Sequence, residues 1–120
     1  MNVTALEIAA MCARHFGVSP RALAFGEPSV IWGHADEARA VAIHLIRRRT
    51  ATPCQVIANL FGVGASSNRF ALIEAIDRQT SGRARTDDLL LAAIVQIGCQ
   101  IRALHEVRER ADPAIPGRAA

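Results

Sequence analysis

Residue types that start and stop helices recur along the whole 120-residue chain. Thr4, with Glu7 three positions later, matches a capping box, and Gly17 stands where that helix would end. Ser19 followed by Pro20 predicts the start of a second, short helix, because both residue types suit a helix N-terminus. These patterns predict a chain built from short helices rather than strands.

Two further helices are predicted in the middle of the chain. Asp36 is expected to cap a third helix that runs to about Arg49. Thr52 is expected to cap a fourth helix, with a proline at its first position and Gln55 completing a capping box. This fourth helix is short, because it stops at Gly62.

The last third of the chain contains two more helix starts. Ser66 or Ser67 is expected to cap a fifth helix that ends near Thr80. Residues 81–85 are then predicted to form a basic turn. Thr86 is expected to cap the sixth helix, with acidic residues favourably placed in its first turn.

The sixth helix is expected to run to about Ala111, so residues 1–111 are predicted to form one domain. Residues 112–120 hold two prolines and a glycine and are predicted to be a flexible tail. The chain is 51% hydrophobic but only 4% aromatic, which favours close-packed helices over a β-sandwich or barrel. The predicted fold class is therefore all-α, a small domain of about six helices.

Several functional classes are excluded by what the sequence lacks. No apolar run approaches the roughly 20 residues that a membrane span requires. Three widely separated cysteines favour reduced thiols in a cytoplasmic protein. Cys12 and His15 form at most half of a metal site, and no second pair stands at ligand spacing. We expect no metal, no cofactor and no enzymatic activity.

Positive charge is concentrated in the middle of the chain. Residues 47–85 hold seven arginines against two acidic residues, a net charge of +5, whereas each flank carries −1. The same segment holds a short helix, a glycine-containing turn and a second amphipathic helix, which is the pattern of a helix-turn-helix. The two features together predict double-stranded DNA as the partner.

The predicted DNA contacts follow from the start of the fifth helix. Its N–H groups and positive dipole suit a phosphate, and asparagine and arginine side chains there suit adenine and guanine edges. Three arginines at the end of the third helix either contact the DNA backbone or are simply solvated. The residues predicted in this way are Ser66, Ser67, Asn68, Arg69, Arg47, Arg48 and Arg49.

The segment from Val56 to Gly62, with the register on both sides of it, resembles the C-terminal DNA-binding domain (domain IV) of the bacterial replication initiator DnaA. The similarity covers roughly residues 3–104 and includes Thr50. It implies a fold like that of this domain and of the Trp repressor, a nucleoid-associated location, and a role in replication initiation or transcription regulation. It also implies a DNA contact for Arg39, which keeps the family's arginine before its third helix.

The sequence departs from the family at the residues that contact DNA. The loop before the third helix is basic in the family, but residues 27–37 here are acidic. The family's recognition-helix motif, G-R-D-H-T-T-V, is replaced by residues 63–69, where Ser67 and Asn68 stand at the two threonine positions. Duplex DNA therefore remains the expected ligand, with a target sequence different from that of the family.

A second interpretation is a protein-interaction module that dimerises through its last helix. Five apolar residues of that helix alternate spacings of four and three, as in a helix–helix seam. Packing of this stripe on its own domain is the favoured alternative, and a homodimer seam is the other. The stripe consists of Leu90, Ile94, Ile97, Ile101 and Leu104.

Overall fold

The structure is a computed structural model that describes residues 3–25, 34–62 and 69–111. These residues form six α-helices and no strand, which confirms the predicted all-α fold class. The helices are α1 (Ala5–Phe16), α2 (Pro20–Phe25), α3 (His34–Arg49), α4 (Cys54–Phe61), α5 (Arg69–Ala84) and α6 (Asp88–Ala111).

The first two helices begin where the sequence predicts. Thr4 Oγ1 accepts a hydrogen bond from the Glu7 amide at 3.2 Å, and Glu7 Oε1 accepts one from the Thr4 amide at 3.0 Å, so the capping box is complete. Gly17 ends α1 with φ +69°. Ser19 Oγ accepts from the Ala22 amide at 3.1 Å and caps α2.

Two predicted caps in the middle of the chain are wrong. α3 begins at His34, so Asp36 lies in its first turn instead of preceding it. α4 has Pro53 as its N-cap and no side-chain cap. The Thr52 hydroxyl lies 2.7 Å from Thr50 Oγ1, so it is engaged by the preceding turn and not by the amides of α4.

The predicted turn at residues 81–85 is also wrong, because α5 continues to Ala84. Thr80 and Ala84 are both buried, one helical turn apart, so continuing the helix keeps them against the core. The cap of α6 is Asp87 rather than Thr86. Asp87 Oδ1 accepts from the Leu90 amide at 3.1 Å, whereas the Thr86 hydroxyl donates backwards to the Arg83 carbonyl.

The core is built around α3, which contacts each of the other five helices. All residues from Ala40 to Ile46 are buried, so α3 is covered on every side along two turns. A helix that is apolar all round is expected at the centre of a bundle. The end of this central helix carries Arg47, Arg48 and Arg49, and the packing therefore brings three arginines to the junction of α3 with α4 and α6.

The apolar stripe of α6 packs on its own domain. Leu90, Ile97 and Ile101 are buried, and Ile94 and Leu104 are partly buried against the same core. By length and composition alone α6 is the one helix of the described residues that could cross a membrane. It lies instead against α1, α3 and α5. It ends at Ala111, and the predicted tail lies outside the described residues.

Candidate nucleic-acid interface

The residues predicted to contact DNA are distributed over three places in the chain. Ser66, Ser67 and Asn68 lie outside the described residues. Arg69 is the first residue of α5 in the structure. The arginines predicted on α3 stand at its two ends, and the structure assigns them different partners.

Arg39 is engaged inside the domain. Its Nε donates to the Leu23 carbonyl at 2.9 Å and its Nη2 to the Ala22 carbonyl at 3.2 Å. Its Nη1 lies 3.5 Å from Asp36 Oδ1. The carbonyls at a helix C-terminus lack intrahelical partners, so Arg39 caps the end of α2. Its guanidinium is turned towards the protein, and we leave Arg39 out of the proposed DNA surface.

Arg47 takes part in a network that joins α3 to α5. His44 Nδ1 lies 2.7 Å from Asp77 Oδ1, and Arg47 Nη1 donates to Asp77 Oδ2 at 3.2 Å. A second carboxylate of α5, on Glu74, lies 3.9 Å from Arg47 Nη2. His44 and Asp77 are buried, so Arg47 holds the base of α5 while one quarter of its side chain stays exposed.

Arg48 and Arg49 are the most accessible of the three arginines. The Arg48 side chain is 56% exposed, with its Nε 3.9 Å from Asp77 Oδ1. Arg49 lies over α6 at Gly98, where an added Cβ would stand 3.1 Å from Arg49 Nη2. The arginine run therefore points in two directions, towards α5 and towards α6.

A cleft of about 600 Å³ lies where the end of α3, the start of α4 and the start of α5 meet. We call it the α4 cleft. The α4 N-terminus has no side-chain cap, so its first amides are available to an anion in this cleft. The lining of the cleft includes Arg47, Thr50, Thr52, Gln55 and Phe70.

Two large apolar side chains are exposed beside this cleft. Val56 of α4 is 49% exposed, while Ile57 and Phe61 of the same helix are buried. Phe70, in the first turn of α5, is 61% exposed. Apolar side chains at this end of α5 are suited to contact with a thymine methyl group.

The outward face of α5 combines small residues with long polar ones. Ala71, Arg78, Gln79 and Gly82 are exposed, on the side opposite the buried Ile73. Small side chains let a helix approach another surface closely. Arg83, by contrast, is tied to α3 because its Nη2 donates to Glu37 Oε2 at 2.9 Å.

The described part of the chain offers little basis for a metal site or for a reactive thiol at Cys12. No group of three potential metal ligands occurs there. The Cys12 thiol is fully buried, and burial raises its pKa to about 12, which makes it a poor nucleophile. Cys12 therefore behaves as a core side chain.

Two features of this region are not predictable from the sequence. The pairing of His44 with Asp77 joins residues 33 positions apart, and no local pattern reports such a distance. From the sequence, Thr50 matches the family pattern, and Thr52 and Gln55 are predicted to cap the fourth helix. Their common position next to an uncapped helix start appears once α3 and α4 are packed.

The fold and this surface identify the protein only as a small all-α domain with a basic junction between helices. The chain matches no known protein-family profile and no curated protein sequence.

Proposed function

We propose that this protein binds double-stranded DNA as a regulator of transcription or replication, with α4 and α5 acting as a helix-turn-helix. In such a motif the second helix enters the major groove and the first crosses the DNA backbone. The resemblance to the DNA-binding domain of DnaA supports the same assignment of the two helices.

The observation that carries the proposal is the α4 cleft. It combines Arg47, the hydroxyl groups of Thr50 and Thr52, and the Gln55 amide next to the free N–H groups that begin α4. Helix N-termini, hydroxyl groups and arginine are the usual partners of DNA phosphates. A phosphate held here would set the start of α5 against the adjacent groove.

The side chains proposed to contact bases are at the start of α5. Ser66, Ser67, Asn68 and Arg69 supply hydrogen-bonding groups, and the exposed Phe70 supplies an apolar contact. The Arg78 side chain on the same helix is proposed as a backbone contact, because it stands on the exposed face two turns further along.

The test is selection of bound sequences from a random duplex pool, followed by affinity measurement on the selected duplex. Gln55→Ala and Arg69→Ala are each expected to weaken binding by about tenfold, the loss typical of one good contact. Arg69→Ala should also reduce the steepness with which affinity falls as salt rises. Gln96→Ala and Arg110→Ala are the matched controls, since both residues are exposed on α6 away from the cleft.

The proposal is lost if wild-type protein enriches no sequence and shows no salt-sensitive binding to mixed-sequence duplex DNA. It is also lost if the two control variants weaken binding as much as Gln55→Ala and Arg69→Ala. In that case the charge of the whole molecule would account for binding and the α4 cleft would not.

Self-association through α6 is the second candidate function. Leu91 and Val95 are exposed one turn apart on the side of α6 that faces away from the core. A dimer seam would use this pair, since most of the stripe from Leu90 to Leu104 is covered by the domain itself. Sedimentation of the wild type and of Leu91→Glu tests this, and a monomer in both cases excludes it.

A further inference from the structure

We propose that a second cleft, between α3, α6 and the start of α1, binds a nucleotide that carries two or more phosphates. This α6 cleft has a volume of about 670 Å³ and lies on the other side of the 50–52 linker from the α4 cleft. Its lining includes Arg48, Arg49 and Arg102 with the hydroxyl groups of Thr50 and Thr52. The proposal does not depend on DNA binding.

Two of the three arginines of the α6 cleft have no carboxylate partner in the described part of the chain, whereas Arg48 Nε lies 3.9 Å from Asp77 Oδ1. Within the described part of the chain, neither Arg49 nor Arg102 forms an ion pair. Two acidic residues that contact the cleft lining are themselves paired, since Glu7 pairs with Arg108 and Glu109 pairs with His105 of the lining. The cleft is therefore electropositive, and guanidinium groups match phosphate oxygens in both charge and geometry.

Gly98 leaves room for one of these arginines. Because this position of α6 has no side chain, the Arg49 guanidinium lies directly against the helix, with Nη2 3.1 Å from where a Cβ would stand. Arg102 follows one turn later on the same helix. Two guanidinium groups that line one cleft suit a ligand with adjacent phosphates better than an isolated charge.

The cleft also has an apolar part. Val3 and Ile101 line it with the 7% and 5% of their surface that stays exposed, and Ala5 and Ala51 add small apolar surface. A cleft of this volume is within the range of small-molecule sites, which combine apolar walls with a few charged groups. An apolar wall beside arginines suits a base and ribose attached to phosphates.

The α6 cleft is lined by the start of α1, the end of α3 and one side of α6. Guanidinium groups also bind the phosphates of duplex DNA, so the test below compares nucleotides with a duplex. His105 also lines the cleft, with its Nε2 3.1 Å from Glu109 Oε1.

The proposal is tested by titration calorimetry of the full chain with ATP, GTP, tripolyphosphate, adenosine and a mixed-sequence DNA duplex. We expect ATP or GTP to bind more tightly than tripolyphosphate, and adenosine to give no heat. Arg49→Ala and Arg102→Ala should each weaken nucleotide binding about tenfold, as expected for loss of one charged hydrogen-bonding group. Arg14→Ala and Arg110→Ala, which remove exposed arginines elsewhere, should leave it unchanged.

Three results overturn the proposal. The first is no binding of ATP, GTP or tripolyphosphate up to about millimolar concentration. The second is tripolyphosphate binding as tightly as the nucleotides, which would leave the apolar wall without a role. The third is an equal loss of duplex affinity in Arg49→Ala and Arg102→Ala, which would make the cleft part of a DNA surface. Arg102 is exposed on a helix, so its alanine variant is expected to fold, and thermal melts of each variant check this.

Discussion

The Nδ1 atom of His44 on α3 lies 2.7 Å from the Oδ1 atom of Asp77 on α5, and both residues are buried. Arg47 donates to the second oxygen of the same carboxylate at 3.2 Å. One carboxylate thus holds two side chains that are one turn apart on the central helix. This contact fixes the position of α5 on the core, and hence where its first turn presents side chains to a partner.

Removing the Asp77 carboxylate should destabilise the whole domain. Asp77→Ala leaves His44 and Arg47 without their partner in a site that is largely closed to water. Breaking a buried pair in this way costs about 3 kcal/mol. Urea denaturation of the variant and the wild type measures the free energy of unfolding. Glu106→Ala is the control, because this carboxylate is exposed on α6.

A double-mutant cycle distinguishes the energy of the His44–Asp77 contact from the effect of removing each side chain. His44→Ala with Asp77→Ala should cost less than the sum of the two single changes, because each single change already breaks the contact. Strict additivity would show that the 2.7 Å contact contributes nothing to stability.

Arg39 is expected to matter for stability rather than for DNA affinity. Arg39→Ala removes donors to the Ala22 and Leu23 carbonyls at the end of α2, at a cost of about 1–2 kcal/mol in unfolding free energy. Arg39→Lys should recover only part of this, since an ammonium group cannot bridge two carbonyls and Asp36 as a guanidinium does. Chemical denaturation measures both variants.

The control for Arg39 lies on the helix that it caps. Arg21 is exposed on α2, and Arg21→Ala should leave the unfolding free energy almost unchanged. Duplex DNA affinity of folded Arg39→Ala should equal that of the wild type. A loss of affinity with no loss of stability would return Arg39 to the DNA surface.

The pairing of Glu7 with Arg108 predicts a stability change at acid pH. Hydrogen bonding to Arg108 and to the Thr4 amide lowers the pKa of Glu7 from its usual 4.5 to about 2. In the unfolded chain this carboxyl group binds its proton at higher pH than in the folded protein. Its contribution to stability is therefore complete above about pH 5 and is lost as the pH falls towards 2.

Melting temperatures of the wild type and Glu7→Gln between acid and neutral pH test this dependence. At neutral pH the wild type should melt a few degrees higher than Glu7→Gln, because the charged pair joins α1 to α6 near the surface. The difference should shrink steadily below about pH 5. A difference that grows on acidification would contradict the assigned ion pair.

The three cysteines should differ in their reaction with a thiol reagent. Cys99 is exposed, Cys54 is partly buried, and the buried Cys12 has a pKa raised to about 12. At about pH 8 the order of modification in the native protein should be Cys99, then Cys54, with Cys12 protected until unfolding. Peptide mapping by mass spectrometry identifies each site. Modification of native Cys12 as fast as Cys99 would show that the core opens there.

The sequence predicts the helices well where local chemistry decides the outcome. Thr4, Ser19 and Gly17 act through partners within four residues, so the pattern alone identifies them. The end of α5 was predicted wrongly because distant contacts decide it. Thr80 and Ala84 are held against the core, and no residue near them in the sequence announces that contact.

The candidate DNA surface is likewise predictable from the sequence only in part. The concentration of arginine in residues 47–85 is visible in composition, but the sequence cannot say which of these arginines face solvent. Arg47 is paired with Asp77, 30 residues away in the chain, and Arg83 is paired with Glu37, 46 residues away. Neither arginine is therefore fully available to a partner. Available charge depends on tertiary packing, which a count along the chain does not report.

Two glycine-to-alanine substitutions should change stability in opposite directions. Gly17 ends α1 at φ +69°, where an alanine side chain is strained although nothing lies within 4 Å of its Cβ position. Gly17→Ala should therefore cost about 1 kcal/mol. Gly82 lies inside α5 with similarly open space around it. Gly82→Ala should stabilise the domain by about 0.5–1 kcal/mol, because alanine has the higher helix propensity.

The Gly82 measurement also decides between the two conformations considered for residues 81–85. In a turn that requires positive φ at the glycine, alanine would destabilise the protein, as at Gly17. In a continuous helix, alanine at this position stabilises the protein. Chemical denaturation of Gly17→Ala, Gly82→Ala and the wild type gives all three free energies on one scale. A loss of stability in Gly82→Ala would contradict the helix between Thr80 and Ala84 and would restore the turn that the glycine predicts.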